Sequence, residues 1–128
     1  AERALLSGED RRDLIAQAVP VLGSEDVLRL RRAVAAVHAS EALVDYVQAL
    51  LARSRHAAGV NVGLSPRAGI ALLRAARAYA MLLGRDHVLP EDVQALFAAV
   101  AAHRLVPGSE AGDGAALAAS ILHGVPVD

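Results

Sequence analysis

Apolar residues recur at spacings of three and four in four stretches of this chain, each bounded by residues that start or stop helices. In the first, Ser24 is placed as the N-cap, with Glu25 and Asp26 in the positive first turn. Val27, Leu30, Val34 and Val37 form a narrow stripe there, and Arg29 and Arg32 lie on the other side as a solvated face. Ser40 is predicted to cap a second helix that runs to about Ala57 and ends by Gly59. Leu43, Tyr46, Val47, Leu50, Leu51 and Ser54 share one of its faces; Glu41, Asp45, Gln48, Arg53 and His56 share the other. Residues 59–63 form a loop into Ser65-Pro66, a capping serine with proline at the first helical position.

The third helix is predicted to reach Leu83 and stop at Gly84, with Leu72, Leu73, Ala76, Tyr79, Ala80 and Leu83 as its core face. Arg67, Ile70, Arg74, Arg77 and Met81 stand opposite. That mixture of cations and apolar groups is unusual for plain solvent and marks a candidate interface. Pro90 opens a fourth helix through Ala102, with Val93, Leu96, Phe97 and Val100 as its stripe. Residues 107–114 read as a flexible loop and residues 115–122 as a last short helix. No stretch alternates strongly enough to predict a strand. The pattern predicts an all-α fold, four main helices in a compact bundle with short helical pieces. Residues 1–23 read as a leader or connection, 24–105 as the bundle, and 106–128 as a loop and tail.

Composition narrows the functional classes. Twenty-nine of the 128 residues are alanine and three are aromatic (Tyr46, Tyr79 and Phe97), which favours helices over strands. All 13 basic residues are arginine, so a lysine-containing phosphate loop and a catalytic lysine are excluded. The absence of cysteine excludes disulfides and thiolate chemistry. With net charge −1 and few aromatics for base stacking, nucleic acid is not an expected partner. No membrane insertion is expected, and the chain is expected to be cytoplasmic. It opens on Ala1 and reads as a piece of a longer protein.

The five histidines are never closer than 16 positions, so no helical pair is spaced to hold a metal, and none is expected. Arg67 is the residue out of place. A cation in a first helical turn opposes the helix dipole at a cost of about 0.3–1 kcal/mol when exposed. Pairing with a carboxylate would offset that mismatch. An anion bound beside the guanidinium and the free N–H groups of the helix start would turn it into a phosphate site.

Gly63-Leu64-Ser65-Pro66-Arg67-Ala68, Ala75-Ala76-Arg77-Ala78, Gly84-Arg85-Asp86-His87-Val88, Pro90-Glu91-Asp92-Val93 and His103-Arg104-Leu105 follow one another in this order. Together they resemble the C-terminal helical lid of MoxR-type AAA+ ATPases. The segment from Val44-Asp45-Tyr46-Val47 to Arg53-Ser54-Arg55 and the closing Ile121-Leu122-His123-Gly124-Val125-Pro126 are similar to the same family. The resemblance spans about residues 1–127. Leu64, His87 and Leu89 depart from the family pattern. Leu89 replaces an expected threonine cap, a loss of about 1 kcal/mol.

The resemblance implies a lid that covers ATP held, with Mg2+, by an upstream α/β subdomain containing the phosphate loop, the acidic metal-binding motif and the catalytic base. By motif position Arg67 is the sensor-2 arginine, in a catalytic role. Ser65, Pro66, Arg67 and Ala68 form the lid side of the nucleotide site. Arg74 and Arg77, on the candidate interface face with Ile70 and Met81, are then placed either to contact the missing subdomain or a neighbouring subunit of a hexameric ring, or to stand as solvated arginines. The full-length protein is then expected to hydrolyse ATP and to remodel or mature a client protein. This chain alone should neither hydrolyse ATP nor bind it tightly. Arg85, Asp86, His103 and Arg104 are expected to anchor turns. The alternative is a stand-alone helical interaction module without a nucleotide role.

Overall fold

A computed structural model describes residues 11–108 and 113–127. The chain divides into two compact units, residues 1–30 and 31–128. In the first, helix α1 (Arg11–Gln17) ends in a turn where the Ala18 N–H donates to the Ile15 carbonyl. Helix α2 (Ser24–Ala36) begins one residue earlier than an N-cap at Ser24 would allow. Gly23 precedes it, and its N–H donates to Asp26 Oδ2 at 2.9 Å, so the carboxylate reaching back closes the helix start. Asp26 also pairs with Arg29. Of the expected apolar stripe, Val27 and Leu30 are exposed, Val34 is half-buried, and Val37, just past the helix, is buried at 5% exposed.

The second unit holds α3 (Glu41–His56), β1 (Val60–Val62), α4 (Pro66–Leu82), α5 (Pro90–Ala101), a 3-10 turn (Ala102–Arg104), β2 (Val106–Pro107) and α6 (Gly114–His123). Ser40 caps α3 by accepting from the Leu43 N–H. Leu43, Tyr46, Val47, Leu50 and Ser54 are buried and Leu51 is half-buried, so the predicted face of this helix is its core face. Asp113 caps α6, whose Leu117, Ala118 and Ile121 join the core around Leu50, Leu72, Val93 and Phe97. Ala76, Ala80 and Ala118 are fully buried, and such short side chains let helix backbones pack closely.

Two local features depart from the helical prediction. β1 and β2 pair antiparallel, with Val60 opposite Pro107 and Val62 opposite Val106. The Gly108 N–H extends the ribbon to the Gly59 carbonyl at 2.8 Å. Elsewhere, His38 and His87 form an isolated parallel bridge through His38 N–H to the Asp86 carbonyl and Val88 N–H to the His38 carbonyl. Both contacts are too short to produce an alternating pattern that a sequence window can register.

Helix α4 ends as predicted, by backbone chemistry. Gly84 adopts φ +76°, the Arg85 N–H reaches the Ala80 carbonyl, and the Gly84 N–H reaches that of Met81, the bonding pattern of a Schellman turn. Leu83 sits in this cap and is 56% exposed, which removes it from the expected core face. The next connection is held by Asp92, 3% exposed in the first turn of α5. Its carboxylate accepts from Arg85 Nη1 at 2.8 Å and Nη2 at 2.5 Å, and from the Leu89 N–H at 2.8 Å. Leu89 provides no cap of its own, yet half of a capping box survives because Asp92 reaches back to it.

The Asp92 carboxyl is held below the ordinary range by its Arg85 hydrogen bonds, which outweigh the opposing effect of burial, with the Leu89 N–H adding to them. Arg85→Ala should lower folding stability at neutral pH, because it leaves the Asp92 carboxylate, 3% exposed, without its guanidinium partner. Folded Asp92 is more acidic than unfolded Asp92. The pair therefore contributes fully above the unfolded value, near ~4, and less as pH falls through the lower folded value. Urea unfolding of both proteins at about pH 7 and about pH 3 should show the gap narrowing in acid; an equal gap at both would contradict it.

Candidate functional site

The start of α4 is built from the end of α3. Ser54 is fully buried in the last turn of α3, and its hydroxyl donates to the Leu51 carbonyl at 2.7 Å. The same oxygen accepts from the Leu64 N–H at 2.9 Å. On the other side of that residue, Arg55 Nε donates to the Leu64 carbonyl at 3.2 Å. Leu64 is thus held through both backbone groups, with its side chain 3% exposed. Gly63 must be glycine here: a Cβ would lie 2.7 Å from the Ser54 carbonyl oxygen and 2.8 Å from Arg55 Cα, both backbone atoms. One turn into α4, a Cβ on Gly69 would meet Leu51 Cδ1 at 2.7 Å, so the two helices approach closely at that point.

From this clamp the chain enters the helix through Ser65, whose backbone is extended at φ −80° and ψ 161° and whose side chain accepts from the Ala68 N–H. Pro66 follows at the first helical position and has no N–H to leave unsatisfied. The Ala68 and Gly69 N–H groups both reach the Ser65 carbonyl. The Arg67 N–H therefore remains the open donor of the first turn among the described residues. The Arg67 side chain is exposed and forms neither an ion pair nor a hydrogen bond among those residues, so the carboxylate partner that would offset the dipole mismatch is not provided here. An open N–H and an unpaired guanidinium at one positive helix end are donors of the kind that an oxyanion takes. Ser65 and Pro66 are exposed beside Arg67, whereas Ala68 is only 4% exposed and packs inward. Its place in the motif is as packing, not as a contact surface.

The opposite face of α4 divides. Ile70 is 55% exposed and Arg74 is exposed. Met81 is half-buried against the core, which its long unbranched side chain can reach around the helix flank. Arg77 is half-buried, and its Nε is buried with no hydrogen-bond partner. Such an unmet donor costs about 1–3 kcal/mol.

A cleft of about 780 Å³ lies elsewhere, between His38, Tyr46, His87, Leu89, Pro90 and Val127, and none of the α4 residues lines it. At its rim His87 Nδ1 sits 2.9 Å from Asp86 Oδ1, a contact that holds the Asp86 carboxyl below its ordinary range. Among the described residues no group of three or more histidines and carboxylates is arranged to hold a metal ion, and no helix is long and apolar enough to cross a membrane.

The residues that aim Arg67 were only partly visible beforehand. Ser54 counts as one more member of an apolar stripe until its two hydrogen bonds are seen. The signal for it is a hydroxyl among leucines one turn before a helix end.

A family profile described as the AAA lid domain matches residues 52–123. The uncharacterized protein YeaC of Bacillus subtilis is 36% identical over 110 residues, covering 86% of this chain and 34% of that protein. Chaperone MoxR1 of Mycobacterium tuberculosis is 36% identical over 116 residues, covering 78% of this chain and 31% of its own. A crystal structure of a candidate ATPase from Cytophaga hutchinsonii superposes with a TM-score of 0.76 at 30% identity, over 81% of this chain and 36% of that one. The chain thus spans about a third of the length of the curated relatives it matches.

Ser54→Ala should leave the Leu64 N–H buried without an acceptor, at about 1–3 kcal/mol of stability. A chemical denaturation midpoint indistinguishable from that of the parent would mean that water or another group replaces the hydroxyl.

Proposed function

Because this chain belongs to the AAA lid domain family, as the C-terminal helical lid of a MoxR-type AAA+ ATPase, we propose that Arg67 is its sensor-2 arginine. In this reading the lid closes over ATP held, with Mg2+, by the nucleotide-binding part of the full-length protein. The Arg67 guanidinium meets the terminal phosphate and stabilises the charge that develops on its oxygens during hydrolysis. The observation that carries the proposal is the unpaired Arg67 beside its own open N–H at the start of α4. Ser65 and Pro66 fix where that helix begins, and Ala68 seats its first turn in the core.

The fit is one-sided. This chain offers donors to a phosphate but among its described residues no cluster that would hold the metal ion. In this reading phosphate grip, metal binding and activation of water belong to the other part, and the lid contributes closure and a charge-sensing contact. Loss of the terminal phosphate removes the anion that Arg67 engages and weakens the closed state. We assign the full-length protein to ATP hydrolysis in a hexameric ring, coupled to remodelling or maturation of a client protein in the cytoplasm. This rests on its kinship with proteins named MoxR, one of them described as a chaperone.

Arg67→Ala in the full-length protein should lower ATP turnover by about tenfold or more, as for other removed transition-state donors, with an unchanged melting curve. Normal turnover with normal melting would take Arg67 out of the mechanism. By isothermal titration, the 128-residue chain alone should bind Mg-ATP only weakly; tight binding would contradict the division of labour.

A further inference from the structure

The two side chains that clamp Leu64 act on different peptide groups. The Ser54 hydroxyl takes the Leu64 N–H and so fixes the peptide between Gly63 and Leu64. Arg55 Nε holds the Leu64 carbonyl at 3.2 Å, and that carbonyl belongs to the next peptide, the one joining Leu64 to the N-cap Ser65. The backbone has only two soft torsions per residue, so the plane of this peptide sets the direction in which the chain leaves for α4. Pro66 follows with its φ locked by the ring, which leaves little freedom after Ser65 to correct a direction set before it. Arg67 is the next residue. The contact is also a close one: a Cβ on Gly63 would lie 2.8 Å from both Arg55 N and Arg55 Cα, so the loop rests on the residue that grips it.

We propose that Arg55 is a positioning residue for Arg67: its bond to the Leu64 carbonyl orients the Leu64–Ser65 peptide, and through it the first turn of α4, so that the Arg67 guanidinium meets the terminal phosphate. This rests on the reading of Arg67 as the phosphate-sensing arginine. Arg55 stands in the last turn of α3, where a cation complements the helix dipole, but Arg53 and His56 stand in the same turn and serve that purpose too. Arg55 is set apart by reaching across nine positions to the entry of α4. Among the described residues it has no carboxylate partner and no other hydrogen bond. Ser54 and Arg55 then divide the work by burial. Removing the buried Ser54 hydroxyl strikes at stability, whereas Arg55 is exposed, and surface substitutions usually leave stability nearly unchanged. What its loss should change is aim.

The test is steady-state ATP hydrolysis by the full-length protein. Arg55→Met keeps an apolar stem and removes the donor. It should lower kcat by about threefold or more with KM for ATP and the melting curve unchanged, because a misaimed guanidinium weakens a contact made in the transition state. Arg55→Lys, whose ammonium can donate to the same carbonyl, should recover most of that loss. Arg55→Gln takes the place of Arg55→Met if that variant does not fold. Adding Arg55→Met to Arg67→Ala should lower kcat no further, since a residue that acts through Arg67 then has nothing left to aim. A normal kcat in folded Arg55→Met beside an impaired Arg67→Ala would overturn the positioning role and leave the sensor reading intact. A raised KM with unchanged kcat would overturn it too, as would a further fall in the double variant, which would mean that Arg55 acts without Arg67. Normal turnover in Arg67→Ala would remove the sensor reading itself, and this role with it.

Discussion

The hydrogen bond from the Leu64 N–H to the buried Ser54 hydroxyl decides where α4 starts, and the functional reading of this chain depends on where α4 starts. A loop entering a helix usually keeps some freedom, because its backbone groups can exchange partners with water. Here the exchange is blocked. The amide and carbonyl of Leu64 are both taken by the last turn of α3, and Gly63 is pressed so closely on that turn that no side chain fits. Ser65 and Pro66 then set the first turn, and Arg67 emerges from a fixed origin. A guanidinium on a long side chain is aimed only as well as the backbone that carries it.

The other end of the helix is fastened by different means. The turn at Gly84 satisfies the last carbonyls of α4, and Arg85, the next residue, is tied at once to Asp92 of α5. Between these two anchors α4 lies against a layer in which Ala76 and Ala80 allow close approach and Leu72 fills the space between helices. Polar contacts fix the ends and apolar packing fixes the middle. Neither alone would define both the axial position and the rotation of the helix. Rotation matters because it is what leaves Ile70 and Arg74 in the open on the side away from the core.

Much of this was legible in the sequence. The helices from Ser40 onward, their serine and proline starts and the stop at Gly84 follow from local rules that act within a turn, and the structure keeps them nearly to the residue. The core face of α3 was also legible, since six residues at helical spacing outvote any single exception. What escaped detection depends on partners distant in sequence. The β1–β2 ribbon joins residues more than 40 positions apart, too briefly for periodicity to register. The role of Asp92 could not be seen locally, because nothing in its position distinguishes a first-turn carboxylate that compensates a dipole from one that also binds Arg85. In the stripe of α2 the periodic apolar pattern says that a face seeks cover, not where the cover comes from: Val27 and Leu30 lie open while Val37 enters the core. At the site, the spacing of Ser65, Pro66 and Arg67 was plain, whereas the clamp behind them required the fold.

The double anchoring of α4 has a mechanical consequence. A helix of 17 residues is about 25 Å long, and one pinned to its neighbours at both ends does not bend easily. A load applied at the Arg67 end is therefore not absorbed by flexing of α4 but passed through its two anchors to α3 and α5, so that the three helices respond as one body along a length of about 25 Å.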